Sequence, residues 1–191
     1  TQLVNNLYNH TMQIANNNTK PLLKGEPHTL VEVCCGSDSL LSQDTEVSSA
    51  CRKVRITIDD DFTTRQGVYK AISNIKSKHD AAWIALPCTT GCAYQRGNWF
   101  KFPSCRGGKM LPNFVLLRQL LRSLRLLLQH CSKIGALVFI ERPASCTLWK
   151  HSEVKKLLKQ YGLCSTRFDG CAFGLTSIAP DTLGRPIKKP W

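Results

Sequence analysis

The chain has 191 residues, 42 % of them apolar, which is the size and composition of one globular domain with a substantial core. Its 26 Lys and Arg residues outnumber 13 Asp and Glu residues and give a net charge of +13. That surplus favours a polyanionic partner, DNA or RNA first, although a merely solubilising charge is the alternative. No stretch approaches the roughly 20 apolar residues of a membrane span, so no membrane partner is expected. The oligomeric state is left open.

Cysteine usage and the chain start bear on location and origin. None of the ten Cys residues forms a CxxC pair, and several lie in apolar runs, where a reduced thiol behaves as a small hydrophobe. We therefore expect a reducing, intracellular protein, nuclear or cytoplasmic, with no metal. A metal set of Cys88, Cys92 and Cys105 is the alternative. The chain begins with Thr1 and no apolar leader, which indicates a piece of a longer polypeptide.

Apolar runs alternate with helical patterns after an extension rich in Asn and Thr. Residues 1–28 form this extension, with one possible helix over 3–14, and residues 29–191 form the predicted domain. Short apolar or β-branched runs predict strands, and rows of apolar residues at helical spacing predict helices. The predicted strands are 30–34, 54–58, 81–86 and 136–140, and the predicted helices are 64–77, 113–130 and 152–161.

This order of elements predicts the fold. Strands that alternate with helices form a mostly parallel sheet with helices on both faces. The fold class is therefore α/β, with a doubly wound sheet of the Rossmann-like type. No clear strand lies between Asp61 and Asp80, so the sheet is expected to be a minimal one in a single domain.

The carboxyl ends of the first two predicted strands carry residues suited to a nucleoside. LVEVCCGSDSLLSQ, residues 30–43, ends a strand in a turn with Gly36, and a helix is expected to begin near Leu40. Parallel sheets bind ligands at such turns, where Gly allows the backbone to approach the ligand. Asp59 follows the second strand at close to the ~20-residue spacing of an acidic residue that binds ribose hydroxyls. A tight structural turn is the alternative.

EVCCGSDS and ITIDDD resemble the first two motifs of class I S-adenosylmethionine-dependent methyltransferases, although this chain has one Gly where that family often has two or three. The resemblance implies a methyltransferase fold and S-adenosylmethionine as cofactor. It places the methionine part of the cofactor on the first turn, its ribose at the second strand, and the end of the third strand beside its methyl group. The implied cofactor-binding residues are Glu32, Gly36, Ser37, Asp38, Asp59, Asp60, Leu86 and Pro87.

The end of the third strand, LPCTTG, resembles the Pro-Cys motif of cytosine-5 methyltransferases. Carbon 5 of cytosine is not nucleophilic until a thiolate adds to carbon 6, so this chemistry needs a reactive Cys and an acid near the ring nitrogen. The resemblance implies Cys88 as the thiolate and Glu141, in FIERPAS after the fourth strand, as the acid. The alternatives are an incidental Cys88 and a Glu141 that pairs with Arg142 or a Lys.

A second resemblance covers residues 30–191. PCTTGCAYQRGNW, FIERPASCTLW, FDGCAFGL and GRPIKKPW look like methyltransferase-like domains in the polyproteins of retroelements and related mobile elements. This resemblance bears on origin and fold rather than on a particular reaction.

Residues 92–109 interleave aromatic and cationic side chains without a regular period. Rings that stack and cations that pair with phosphate are what a single-stranded or flipped base requires. A solvated loop folded over its own rings is the alternative, and Arg118, Arg122 and Arg125 form a stripe that is either a solvated face or a phosphate track. The predicted nucleic-acid-binding residues are Gln95, Arg96, Asn98, Trp99, Lys101, Arg106 and Lys109.

The sequence therefore predicts S-adenosylmethionine-dependent methyl transfer to nucleic acid, with cytosine carbon 5 as the favoured target. A non-catalytic nucleic-acid-binding module of a mobile-element or viral polyprotein is the first alternative, and the single Gly of the first turn favours it. Methyl transfer to RNA ribose or to a cap is a further alternative. It requires a Lys near the first strand and an Asp at the end of the fourth, and Leu86 and Cys88 do not supply that Asp.

Overall fold

The structure of the protein is a computed structural model. The described residues are 28–39, 41, 51–88, 97, 100–102, 104, 111–169, 176–177 and 179–186. The helix expected over 3–14, the one expected near Leu40 and most of the 92–109 segment lie outside these ranges.

Four parallel strands form one sheet. β1 is His28–Val33, β2 is Cys51–Ile56, β3 is Ala81–Ile84 and β4 is Leu137–Ile140. Every pair of neighbours is parallel, and the order across the sheet is β2-β1-β3-β4. All four predicted strands are confirmed. β1 and β2 begin earlier than predicted and end earlier, because the residues that follow them belong to turns.

Three helices connect or follow the strands. α1 is Arg65–Ser73, α2 is Leu111–Ile134 and α3 is Ser152–Gln160, and all three were predicted. The cap of α3 differs from the prediction, because the ring of His151, and not Ser152, accepts the free backbone N–H of Glu153 at 3.3 Å. Gly162 follows the end of this helix with a φ of 63°, and a glycine in this position is the typical signal of a helix end.

The helices α1 and α2 pack on one face of the sheet and form the core. Two crossovers that run in the same direction across a sheet place their helices on the same face when both are right-handed, and α1 contacts α2. The register aligns Ile56, Val33, Ile84 and Ile140 in a row beneath them. The leucine row of α2 is buried there: Leu117, Leu120, Leu121, Leu124 and Leu128.

The opposite face of the sheet carries a different row. Arg55, Glu32, Trp83 and Phe139 are aligned across the four strands, and the rings of Trp83 and Phe139 stack at 5.6 Å. The β1–β2 connection lies mostly outside the described ranges. Helices on both faces therefore stay a prediction, while an α/β architecture with an all-parallel sheet is present.

Asp80 joins the amino ends of β1 and β3. Its carboxylate accepts hydrogen bonds from the backbone N–H groups of Thr29 at 2.7 Å, Lys76 at 2.7 Å and Ser77 at 2.8 Å. Burial acts to raise the pKa of Asp80, but these three bonds outweigh it and the pKa lies below its ordinary value. Asp80 is thus a structural anchor at the edge opposite the predicted site.

No helix within the described ranges is long and apolar enough to cross a membrane.

Candidate functional site at the carboxyl edge of the sheet

The strand order predicts a crevice between β1 and β3. The chain leaves β1 toward one edge of the sheet, to β2, and leaves β3 toward the other, to β4. Connections that diverge in this way leave space at the carboxyl ends of the two strands, and open parallel sheets bind ligands there. The segments that follow Val33 and Ile84 border this crevice.

The turn after β1 is made by Cys34. Its φ of 61° is left-handed, and its N–H donates to the carbonyl of Ile56 on β2 at 2.9 Å. A left-handed conformation costs a residue other than Gly about 1–2 kcal/mol. Sequence reasoning assigned the tight turn to Gly36, whereas the strained position is Cys34. Strain of this kind concentrates at functional sites.

The predicted methionine-binding turn, 36–38, is exposed, and hydrogen bonds involving Arg55 and Glu32 fix its backbone. The guanidinium of Arg55 donates to the carbonyls of Ser37 at 2.8 Å and of Ser39 at 3.4 Å. The hydroxyl of Ser39 donates to the carboxylate of Glu32, which is buried beneath the turn. Glu32 therefore positions this turn, and Gly36, Ser37 and Asp38 present its outer surface.

Three consecutive aspartates after β2 have different environments. Asp60 accepts from the ammonium of Lys70 at 2.6 Å and from the N–H of Thr57 at 3.0 Å. The bond from Lys70 is the largest cause that holds the pKa of Asp60 below its ordinary value. Asp61 accepts from the N–H and the hydroxyl of Thr63 at 3.0 Å and 2.6 Å.

Asp59 differs from its two neighbours. Its side chain is exposed, and among the described residues its carboxylate has no hydrogen-bond or ion-pair partner. The preceding Ile58 exposes 89 % of its surface, which is unusual for a large apolar side chain. An exposed apolar side chain beside an available carboxylate suits the base and the ribose of a nucleoside. Sequence reasoning found Asp59 but not Ile58.

Gly67 allows α1 to pack against the loop that carries these aspartates. A Cβ atom at Gly67 would lie 2.3 Å from the carbonyl oxygen of Asp61 and 2.5 Å from that of Asp60. No side chain fits at that distance from backbone. The first turn of α1 also binds the loop through Thr64, whose hydroxyl donates to the carbonyl of Asp61 at 2.8 Å. This glycine was not singled out in the sequence.

The segment after β3 begins in the core and emerges from it. Leu86 is buried, so its side chain belongs to the core and only its backbone is available to a ligand, whereas Pro87 is exposed. Cys88 is half-buried and packs against the core cluster. The backbone thus carries Cys88 to the boundary between the core and the carboxyl edge.

Glu141 directly follows β4 at the same edge. Its N–H donates to the carbonyl of Ile84 at 2.9 Å, which continues the sheet by one bond. The indole N–H of Trp83 donates to its carboxylate at 3.3 Å, on the face opposite the helices. Cys88 and Glu141 therefore follow adjacent parallel strands, and their action as a pair stays a prediction.

Two of the thiols near the crevice are poor nucleophiles. Burial is the largest cause that raises the pKa of Cys34 to about 12, and the neighbouring Cys35 adds to it. Burial also raises the pKa of Cys35, with the nearby Glu32 as the second cause. Both thiols are therefore protonated at neutral pH. Neither replaces Cys88 as the candidate thiolate.

The predicted nucleic-acid-binding loop is described in part. Lys101 is exposed between Phe100 and Phe102, which expose 66 % and 52 % of their surfaces. Two exposed rings around a cation are suited to stacking with bases and pairing with phosphate. The other predicted residues lie outside the described ranges: Gln95, Arg96, Asn98, Trp99, Arg106 and Lys109.

The arginine stripe lies on the exposed face of α2. Arg118, Arg122 and Arg125 are all exposed. Arg125 pairs with Glu153 of α3 at 3.4 Å, so one member of the stripe has a structural partner. In the part of the chain that the structure describes, no group of three or more His, Cys, Asp or Glu side chains is arranged to hold a metal.

Comparison with known proteins adds no family to these observations. No protein-family profile, curated protein or solved structure matches this chain. The function is therefore inferred from the carboxyl edge itself: the crevice, the turn after β1, the available carboxylate of Asp59 and the two residues that follow β3 and β4.

Proposed function

We propose that this protein is an S-adenosylmethionine-dependent methyltransferase that acts on nucleic acid, with a Rossmann-like methyltransferase fold. The observation that carries the proposal is Asp59, an exposed carboxylate with no partner among the described residues, at the carboxyl edge of a parallel sheet. An acidic residue in this place accepts hydrogen bonds from ribose hydroxyls in nucleoside-binding sheets.

The residues around the crevice fit the cofactor in its separate parts. Asp59 would bind the ribose, and the exposed side chain of Ile58 would cover one face of the adenine. The outer surface of the 36–38 turn, held by Arg55 and Glu32, would receive the methionine part. When bound, the cofactor supplies an electrophilic methyl group.

Cytosine carbon 5 is the target that Cys88 and Glu141 favour. The sulfur of Cys88 would form a bond to carbon 6, while Glu141 donates a proton or a hydrogen bond to ring nitrogen 3. Carbon 5 would then take the methyl group, whose bond to the cofactor sulfur would break and release S-adenosylhomocysteine. Loss of the carbon 5 proton to water and release of the Cys88 sulfur would restore the ring. The positions of the two residues at the ends of adjacent strands support this assignment.

Calorimetric titration with S-adenosylmethionine and S-adenosylhomocysteine tests cofactor binding. We expect both to bind the wild type, and Asp59→Asn to weaken binding by about 10- to 100-fold, because a hydrogen bond to a charged group contributes about 1.5–3 kcal/mol. Asp181→Asn is the matched control, since Asp181 is an exposed aspartate in a short turn, and it should bind like the wild type. A folded wild type that binds neither compound would contradict the proposal.

Transfer of a labelled methyl group to a single-stranded, cytosine-containing oligonucleotide tests the covalent step. Cys88→Ala is expected to abolish transfer and to keep the affinity for S-adenosylhomocysteine. Cys164→Ala, at an exposed cysteine, is the control and should transfer at the wild-type rate. If Cys88→Ala still transfers at that rate, the covalent mechanism is wrong, although cofactor binding can persist.

A non-catalytic nucleic-acid-binding module is the second candidate. The exposed pair Phe100 and Phe102 around Lys101, together with the net charge of +13, favours it. Salt-sensitive binding of an oligonucleotide by a protein that binds neither cofactor form would select this function.

A further inference from the structure

Arg142 is buried at the end of β4. Only 4 % of its surface is exposed, although it directly follows Glu141 at the carboxyl edge of the sheet. Arginine side chains are rarely buried to this extent unless they are paired. Withdrawal of a guanidinium from water without compensation is strongly unfavourable, so its surroundings require an explanation.

The described surroundings of Arg142 do not neutralise its charge. Its Nη1 donates to the Cys146 sulfur at 4.0 Å, and a thiol is a weak acceptor. Its positive charge also acts on the Cys34 thiol, which is protonated at neutral pH. The salt bridges of Lys70 with Asp60 and of Arg125 with Glu153 do not involve Arg142.

The guanidinium lies close to the crevice already described. Arg142 follows β4 and Cys34 follows β1, and β3 lies between these two strands. Neighbouring strands are ~4.8 Å apart, so an interaction between Arg142 and Cys34 spans the carboxyl end of β3. The positive charge of Arg142 therefore acts on a residue that borders this crevice, Cys34.

We propose that Arg142 binds the terminal oxyanion of a small molecule in this crevice, either a carboxylate or a phosphate. A guanidinium presents its donors in a planar fork that matches both groups, and such bonds are stronger away from water. Burial of Arg142 favours a terminal oxyanion over the phosphodiester of a nucleic-acid chain, because a phosphodiester carries a nucleotide on each side and a terminal group does not. A buried cation without an anionic partner among the described residues is explained by a ligand that supplies one.

Only one of the two sources of the oxyanion depends on the proposed function. The carboxylate source is the amino-acid part of the proposed cofactor, so this arm rests on the proposed function. The phosphate source is independent of it. Both sources share the same receptor, and the test separates them.

The experiment measures binding of three probes by calorimetry: S-adenosylhomocysteine, its decarboxylated form and inorganic phosphate. The variants are Arg142→Met and Arg142→Lys, with Arg167→Met as a control at an exposed arginine. For a carboxylate, we expect Arg142→Met to lose about 10- to 100-fold in affinity for S-adenosylhomocysteine and nothing for the decarboxylated form. If the oxyanion is a phosphate, we expect Arg142→Met to lose affinity for inorganic phosphate instead. Arg142→Lys should keep part of the affinity in either case, and Arg167→Met all of it.

Two results would overturn the proposal. The first is a binding result: either Arg142→Met binds S-adenosylhomocysteine and phosphate as tightly as the wild type does, or the wild type binds neither. The second is a melting temperature of ligand-free Arg142→Met well below that of the ligand-free wild type. Replacing an uncompensated buried charge with an apolar side chain should not destabilise the protein. Phosphate binding that depends on Arg142, without binding of S-adenosylhomocysteine, would support this inference and contradict the proposed function.

Discussion

Three adjacent residues of one chemical type have three different roles after β2. The carboxylates of Asp60 and Asp61 complete the loop through Lys70, Thr57 and Thr63, while the carboxylate of Asp59 remains available. The run of aspartates marks this loop in the sequence, but the surrounding hydrogen bonds decide which carboxylate can meet a ligand. Our assignment of ribose binding therefore favours Asp59 over Asp60.

Asp80 gives a pH-dependent prediction at the same scale. Asp80→Asn should lower the free energy of unfolding by about 1–3 kcal/mol at neutral pH, because an amide cannot accept at both oxygen positions from the N–H groups that the carboxylate satisfies. The pKa of Asp80 is lowered by folding, so its contribution is fully present above the ordinary carboxyl pKa. It is lost as the pH falls through the lowered pKa of the folded state.

Urea denaturation of wild type and Asp80→Asn across the acid range checks this prediction. The two midpoints should differ most at neutral pH and converge as the pH falls below ~3.9, the ordinary aspartate pKa. A difference that stays constant throughout the acid range would contradict the role given to the Asp80 carboxylate.

The helix α2 is much longer than β4, the strand that follows it. At ~1.5 Å per residue the 24 residues of α2 extend about 36 Å, whereas the four residues of β4 extend only about 13 Å. The buried residues of α2 begin at Leu117, and Leu111 and Val115 before it are exposed. The first turns of α2 therefore lie outside the core, and its buried face begins at Leu117.

Gly67 supplies a prediction about how α1 is joined to the sheet. Gly67→Ala should lower the free energy of unfolding by about 1–3 kcal/mol, because its Cβ would meet the carbonyl oxygens of Asp60 and Asp61. Gly36→Ala is the matched control. Its Cβ would lie 2.7 Å from Oδ1 of Asp38, the end of a side chain that can rotate away.

The midpoints of urea denaturation compare the two glycine variants. Gly36→Ala should change the free energy of unfolding by no more than ~0.5 kcal/mol, as surface substitutions usually do. Equal effects of the two variants would show that the contact between α1 and the aspartate loop is less tight than the distances indicate.

The net charge of +13 acts at the scale of the whole molecule. A surplus of this size attracts polyanions from a distance, while local side chains decide where they bind. The exposed residues Phe100, Lys101 and Phe102 are one such place in the described part of the chain. Charge and rings make separable contributions, because only the charged contact releases counterions.

Binding of a single-stranded oligonucleotide of ~16 nucleotides at several salt concentrations separates these contributions. Lys101→Gln should reduce the slope of log affinity against log salt by about 0.7, the value for one phosphate contact. Phe100→Ala should weaken binding by about 1–3 kcal/mol per lost stacked base and leave the slope unchanged. Lys150→Gln, at an exposed lysine after β4, is expected to change neither. A variant at Lys101 with the wild-type slope would remove this residue from the interface.

The elements of the sheet were readable from short stretches of sequence. The alternation of Val54, Ile56 and their neighbours and the leucine row of α2 are local patterns, and the structure confirms the elements that they predict. The cap of α3 was missed because His151 is an unusual cap. The strained residue of the first turn was missed because Cys34 adopts a conformation that its residue type disfavours.

The sequence by itself determined the order of strands and helices, the parallel sheet and the edge at which the candidate residues lie, because periodicity and alternation are properties of neighbouring residues. Only the tertiary structure decided that Arg142 is buried, that Asp80 joins two strands and that Asp59 keeps its carboxylate available. Burial and hydrogen bonding depend on groups from distant parts of the chain. The folded sheet brings those groups together, and no local pattern records that contact.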